Sequence, residues 1–113
     1  MGAETRADDE AAARLAAGVA SYALGAPLDA ILRIERGSSE VAFARQVAMY
    51  LCHVAFEFSL ARVAVAFARD RSTVAHACHV IEDKREDEAF DDWIAALEAM
   101  LCDAPPPQQQ VTA

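Results

Sequence analysis

Apolar positions in this chain recur at three- and four-residue intervals, the spacing that lines one face of an α-helix. From about Asp9 to Leu24, Leu15, Val19 and Tyr22 or Ala23 share a face, and Gly25 ends the helix they predict. Pro27 suits the first turn of a short second helix carrying Leu28, Ile31 and Leu32. Gly37 closes that helix, and Ser38 or Ser39 can cap the next. The third helix, about Glu40 to Phe56, turns Phe43, Val47, Leu51 and Val54 inward. Ser59 reads as the N-cap of a short helix, Leu60 to Phe67, with Leu60, Val63, Ala64 and Phe67 on its inner face. A tight turn at Ala68-Arg69 leads to Asp70, the N-cap of a fifth helix, Arg71 to about Lys84, buried along Val74, Ala77, Cys78 and Ile81. The last helix, residues 86–103, is acidic outside and holds Phe90, Trp93, Ile94, Leu97 and Leu101 inside.

This pattern predicts an all-α fold: a single compact helical domain of about six helices containing a helix-turn-helix. The domain should span residues 9–103, between a disordered N-terminus (1–8) and a disordered Pro/Gln tail (104–113) that opens APPPQQQ. A chain of 113 residues, 55% apolar, can bury one core without disulfides or metal. No charge-free apolar run reaches the roughly 18 residues of a membrane span. The acidic start, MGAETRADDE, lacks the features of a secretory signal. Cys52, Cys78 and Cys102 are odd in number and widely spaced, which suits reduced thiols in a cytoplasmic, nucleoid-associated protein.

The net charge of −8 argues against nucleic acid as a partner, but its distribution softens the objection. Residues 1–35 hold three basic and six acidic side chains, and residues 83–113 hold two and eight. Residues 36–82 hold five basic and four acidic, so the middle of the chain is slightly positive. That middle contains the two short helices joined by a tight turn. In a helix-turn-helix the N-terminal turn of the second helix enters the major groove. Asp70, Arg71, Ser72 and Thr73 occupy that turn, and each has a base-edge partner: guanine for Arg, a cytosine amino group for Asp, either kind of group for Ser and Thr. His76 and His79 continue the same face, where phosphates would lie. Periodicity alone leaves other all-helical domains open, since many contain such a helix pair.

The residues narrow the reading. ARQVAMYL at 44–51, SLARVAVAF at 59–67 and RDRSTVAHACHVIED at 69–83 resemble the C-terminal DNA-binding domain (domain IV) of the bacterial replication initiator DnaA. That family reads roughly ARQ-x-AMYL, SL-x-x-IG-x-x-F and GRDH[ST]TV-x-HAC, in the same order and with nearly the same spacing. The resemblance is strong over residues 41–83 and weaker back to about Val19. It implies double-stranded DNA as the partner and places Asp70, Arg71, Ser72 and Thr73 on the base-reading positions. It also puts Arg45 and Gln46 on groove and backbone contacts of the long helix, and His53, Arg69 and His79 on phosphate contacts. His76 and Arg62 join the backbone set, and Arg36, in the loop RIERGSSE, is nearest to the family's minor-groove arginine. Arg71 departs from the family's usual His, His53 from a common Lys, and Arg62 from an acid. The turn at Ala68-Arg69 is one residue shorter than the initiator's Gly-Gly turn.

Cys52, His53, His76, Cys78 and His79 fit no standard zinc spacing, and Cys78 lies on the core face, so neither metal nor cofactor is expected. No third group orients a Cys–His pair for catalysis, so the chain does not read as an enzyme. No G-x-x-x-x-G-K-[ST] phosphate loop occurs in it. The role that emerges is a sequence-specific DNA-binding transcription regulator, for instance an activator of gene-transfer-agent or phage-like genes. It would act with a protein partner, such as RNA polymerase or a co-regulator, reached through the acidic C-terminal helix. The alternatives are a protein-interaction module with the same fold and little DNA affinity, and a competitor for replication-initiator sites.

Overall fold

A computed structural model describes the backbone of residues 2–33, 35 and 37–103, with side chains from Asp8 onward. Six helices follow one another: α1 (Gly2–Leu24), α2 (Leu28–Leu32), α3 (Ser39–Ala55), α4 (Leu60–Phe67), α5 (Arg71–Lys84) and α6 (Glu88–Cys102). No strand occurs among the described residues. The expected tail at 104–113 lies outside them.

The helix α3 is the axis of the domain, packing against each of the other five. It is buried almost all round, through Ala44, Arg45, Val47, Ala48, Met49, Tyr50, Leu51 and Cys52, while the expected inward residues Phe43 and Val54 are only half-buried. A single-face pattern misjudges a central helix, because neighbours on every side bury several faces at once.

The first helix differs most from the sequence reading. It begins at Gly2, not Asp9, and so includes residues expected to be disordered. Asp9 does not start it: the side chain is buried mid-helix and bound by Arg62 of α4. The buried face is the alanine row Ala12, Ala13, Ala16, Ala17 and Ala20, not the Leu15–Val19–Tyr22 face. Small side chains let α1 approach α3 closely. Leu15 and Val19 flank that contact half-buried, and Tyr22 is 83% exposed.

The remaining boundaries follow local chemistry. Gly25 adopts φ +72° after α1, its amide bonded to the Ser21 carbonyl. Ser38 caps α3 by accepting from the Val41 amide, Ser59 caps α4 through the Arg62 amide, and Asp87 caps α6 through the Phe90 amide. The inner faces expected of α4 and α5 are as observed, apart from Leu60, which is half-buried. In α6, Ile94, Leu97 and Leu101 are buried, and Phe90 and Trp93 stack half-buried at the edge of the core, 5.4 Å apart.

Candidate nucleic-acid interface

Between α4 and α5 the chain turns within three residues. Ala68 takes the left-handed conformation (φ 56°, ψ 48°) that usually falls to glycine. Its amide bonds to the Val65 carbonyl and the Arg69 amide to the Ala64 carbonyl, which closes α4 as a Schellman turn. Asp70 then enters α5 in an extended conformation, and its carbonyl accepts from the Thr73 and Val74 amides. Its carboxylate makes no capping hydrogen bond.

Val74, Ala77, Cys78 and Ile81 pin one face of α5 against the core. Helical geometry therefore turns the first-turn side chains outward, and Asp70, Arg71, Ser72 and Thr73 are all exposed. The first amides of a helix and its dipole favour an anion at this end, and Arg69 and Arg71 add full positive charges. Beside the turn lies an open concavity of about 500 Å³ between α3 and α5, lined by Ala42, Arg45, Gln46, Met49, Arg69, Thr73 and His76. Residues 28 positions apart in sequence thus form one surface: Arg45 and Gln46 from α3, Thr73 from α5.

Other candidates have different surroundings. Arg45 is only 6% exposed, and its guanidinium donates to the carbonyls of Ile31 and Ala30, both at 2.8 Å, and Glu35 at 3.1 Å. Burial, with the charge of Arg69 nearby, pushes its pKa below the ordinary value. Arg69 donates to the Arg33 carbonyl at 2.6 Å. Arg62 grips both oxygens of Asp9, at 2.7 and 3.0 Å, and lies 3.7 Å over the Phe58 ring. The Nδ1 of His53 lies 2.6 Å from the Phe58 carbonyl, so His53 braces the connection between α3 and α4. His79 is exposed one turn beyond His76, its Nε2 3.4 Å from Asp83. Arg36 lies outside the described residues.

A second polar cluster anchors the far end of α5. The Tyr50 hydroxyl donates to Glu82 at 2.7 Å and accepts from Arg85 at 2.9 Å. Arg85 also binds Asp91 of α6 and stands 3.8 Å from Glu98. Burial first, and the Glu82 bond second, push the Tyr50 hydroxyl up to about 12. Periodicity does not reveal this cluster. The nearest signal was Glu82 and Arg85 three residues apart, on one side of the helix that the core does not use. Burial also pushes the Cys52 thiol up to about 12 and Cys78 up to about 11, which leaves both as protonated core thiols, poor nucleophiles and poor ligands.

The helix-turn-helix model of the bacterial DnaA protein matches residues 21–81. Chromosomal replication initiator protein DnaA 2 of Chlamydia trachomatis is 46% identical over 58 residues, covering 49% of this chain and 13% of that protein. The DnaA initiator of Symbiobacterium thermophilum is 39% identical over 70 residues, covering 60% of this chain and 15% of its own length. The chain thus corresponds to a small fraction of each curated relative. A crystal structure of a DNA replication initiation factor superposes with a TM-score of 0.76 at 26% identity, covering 88% of this chain and 31% of that one. The matched segment runs from the end of α1 through α5, and on that match the chain belongs to the bacterial DnaA helix-turn-helix family.

Proposed function

We propose that this protein is a sequence-specific reader of double-stranded DNA that works as a transcription regulator. The observation that carries the reading is the first turn of α5. Four side chains able to bond base edges, Asp70, Arg71, Ser72 and Thr73, stand exposed on a helix whose other face is fixed in the core. Gln46 and His76 line the groove beside them, suited to flanking backbone contacts. The relatives' description as replication initiators supports the same partner class. An electrophoretic shift with a duplex carrying an initiator-type site, set against a scrambled duplex, tests it. Preferential retardation of the first supports the reading, and equal or absent retardation refutes it.

For regulation, α6 is the surface proposed to meet a protein partner. Residues 83–103 carry eight acids against Lys84 and Arg85, and like charges within about a Debye length, near 10 Å, oppose a phosphate backbone. The informative substitutions are Glu86, Glu88 and Asp92 to Ser, because Asp87 caps α6 and Asp91 holds Arg85. The expected outcome is equal or stronger DNA affinity with impaired regulation in cells. Unchanged regulation and unchanged partner recovery would reduce α6 to a cover for the core.

A second reading, a protein-interaction module with little DNA affinity, is favoured by two facts. The net charge is −8, and Arg45 and Arg62 spend their hydrogen bonds inside the fold. The same shift experiment separates the readings.

A further inference from the structure

Most of α1 is apolar on every side. From Ala11 to Leu24 it carries one charged side chain, Arg14, in a chain of which a quarter is charged. One face, Ala12, Ala13, Ala16, Ala17 and Ala20, lies in the core. The opposite face runs through Ala11, Leu15, Gly18 and Tyr22, alternately four and three residues apart, the spacing of a helix–helix seam. A helix on the outside of a domain normally turns charge to solvent, and one that is apolar all round is normally covered. No helix among the described residues is long and apolar enough to cross a membrane, so a membrane span does not account for the pattern. Two details of the outer face gain nothing in a single chain. Tyr22 is 83% exposed. Gly18 sits one turn before it, and a glycine inside a helix lowers stability relative to alanine. A Cβ built on Gly18 meets nothing within 4 Å, so no neighbour in the fold requires the glycine, and the gap is open to a side chain from outside.

We infer that this face of α1 is the contact between two copies of the chain, paired antiparallel about a two-fold axis, with Tyr22 of each copy seated on Gly18 of the other. A two-fold axis uses one patch twice, so a protruding ring and a gap four residues apart on one helix complete each other in both directions. Charge selects a second copy as the occupant. The chain has a net charge of −8, so two copies meet at least cost where acids are absent, and residues 11–24 contain none. A patch whose one charge is Arg14 complements neither a strongly acidic nor a strongly basic partner, and it does complement its own apolar copy. Area sets the strength. Three turns of one helix offer less than the roughly 800 Å² per partner of a standard interface, so the pair is weak and reversible. At the dilution of a DNA-binding measurement the chain is then a single copy.

Sedimentation equilibrium of the full chain, from micromolar to millimolar concentration and without DNA, is the test. The native chain should form a reversible dimer that strengthens as added salt screens the repulsion between copies. Tyr22→Ser should weaken it about tenfold, the loss of a buried aromatic anchor. Gly18→Ala fills the gap and should weaken it about threefold. In the dilute, single-copy chain the same Gly18→Ala should raise the thermal midpoint by about 3 °C, because alanine is the better helix former and its methyl meets nothing there. These opposite effects separate a contact between copies from a role for Gly18 within the fold. Both variants should keep their fold at dilution, since Tyr22 is exposed and the space at Gly18 is open. A chain that stays single at millimolar concentration would leave the face to a different protein and overturn the inference. A dimer that both substitutions leave unchanged, or that salt weakens, would place the contact elsewhere and overturn it as well. Lost stability of dilute Tyr22→Ser would mean that a segment of the same chain covers the ring, which also overturns it.

Discussion

At its first turn α5 carries Asp70, Arg71, Ser72 and Thr73, exposed and with no side-chain hydrogen bond to the described residues, and even the N-cap carboxylate makes no capping bond. At its last turn Glu82 and Arg85 are tied through Tyr50 to α3, and Arg85 is tied through Asp91 to α6. Both ends are rich in polar groups, and they differ in whether the fold satisfies them. Hydrogen-bonding capacity satisfied within the fold stabilises it, while capacity left in solvent is available to a partner at little cost to the core. The division also explains how a chain of net charge −8 can present the end proposed to read DNA. Nine of its eighteen acids lie in residues 82–103, at the anchored end and on α6, away from the turn in sequence.

The largest expected effect belongs to the anchored half and appears at high pH. The folded protein keeps its proton on Tyr50 up to about 12, on Cys52 up to about 12 and on Cys78 up to about 11, where the ordinary values are 10.0, 9.0 and 9.0. The unfolded chain releases these protons earlier, so stability is complete below about pH 9 and falls between pH 9 and 12. Chemical denaturation across that range should show the decline, and Tyr50→Phe should lessen it above pH 10. A decline that Tyr50→Phe leaves unchanged would remove the anchored end from the account.

Next in size is Arg85→Ala, expected to cost about 2–3 kcal/mol, since it removes the cation that bonds both the Tyr50 hydroxyl and the Asp91 carboxylate. Urea denaturation measures it. The base preference of the variant should stay as in the native chain, because the anchor makes no proposed base contact. A changed preference without lost stability would erase the distinction between the two ends.

Salt dependence measures how few cations remain for DNA. With Arg45 and Arg62 bonded internally, about three phosphates are neutralised, which gives a log–log slope near −3. A slope near −8 would require several protomers on one duplex or contacts from residues outside the described ones. The smallest effect is Ala68→Gly in the turn itself. Relief of the left-handed alanine should stabilise the fold by about 1 kcal/mol, checked by thermal unfolding, with DNA preference unchanged.

The fold was legible where one helix face meets one neighbour. The α4 and α5 boundaries, the Ser59 cap and the α5 core face follow from short, strongly patterned segments. It was less legible where packing overrides pattern: α1 buries alanines instead of leucines, and α3 is buried on several sides. Among the candidate site residues, the structure places Asp70 to Thr73 exposed at the first turn of α5, and it brings Gln46, Thr73 and His76 onto one concavity, a proximity that sequence does not give. Sequence could not foresee that Arg45 meets backbone carbonyls or that Arg62 meets Asp9, because both contacts depend on tertiary proximity, 14 and 53 residues apart in sequence. An arginine in a pattern marks a position, and only the fold shows whether its donors face inward.

The central claim, that the exposed first turn of α5 reads bases, is tested most directly at Arg71. A base-substitution series on the best duplex, measured by anisotropy for the native chain and for Arg71→Ala, compares their preference at every position. The account predicts that Arg71→Ala loses about 1–3 kcal/mol of discrimination at one base pair and keeps its preference elsewhere, with unfolding stability unchanged within about 0.5 kcal/mol. An identical preference profile in the two proteins, both folded, would contradict it.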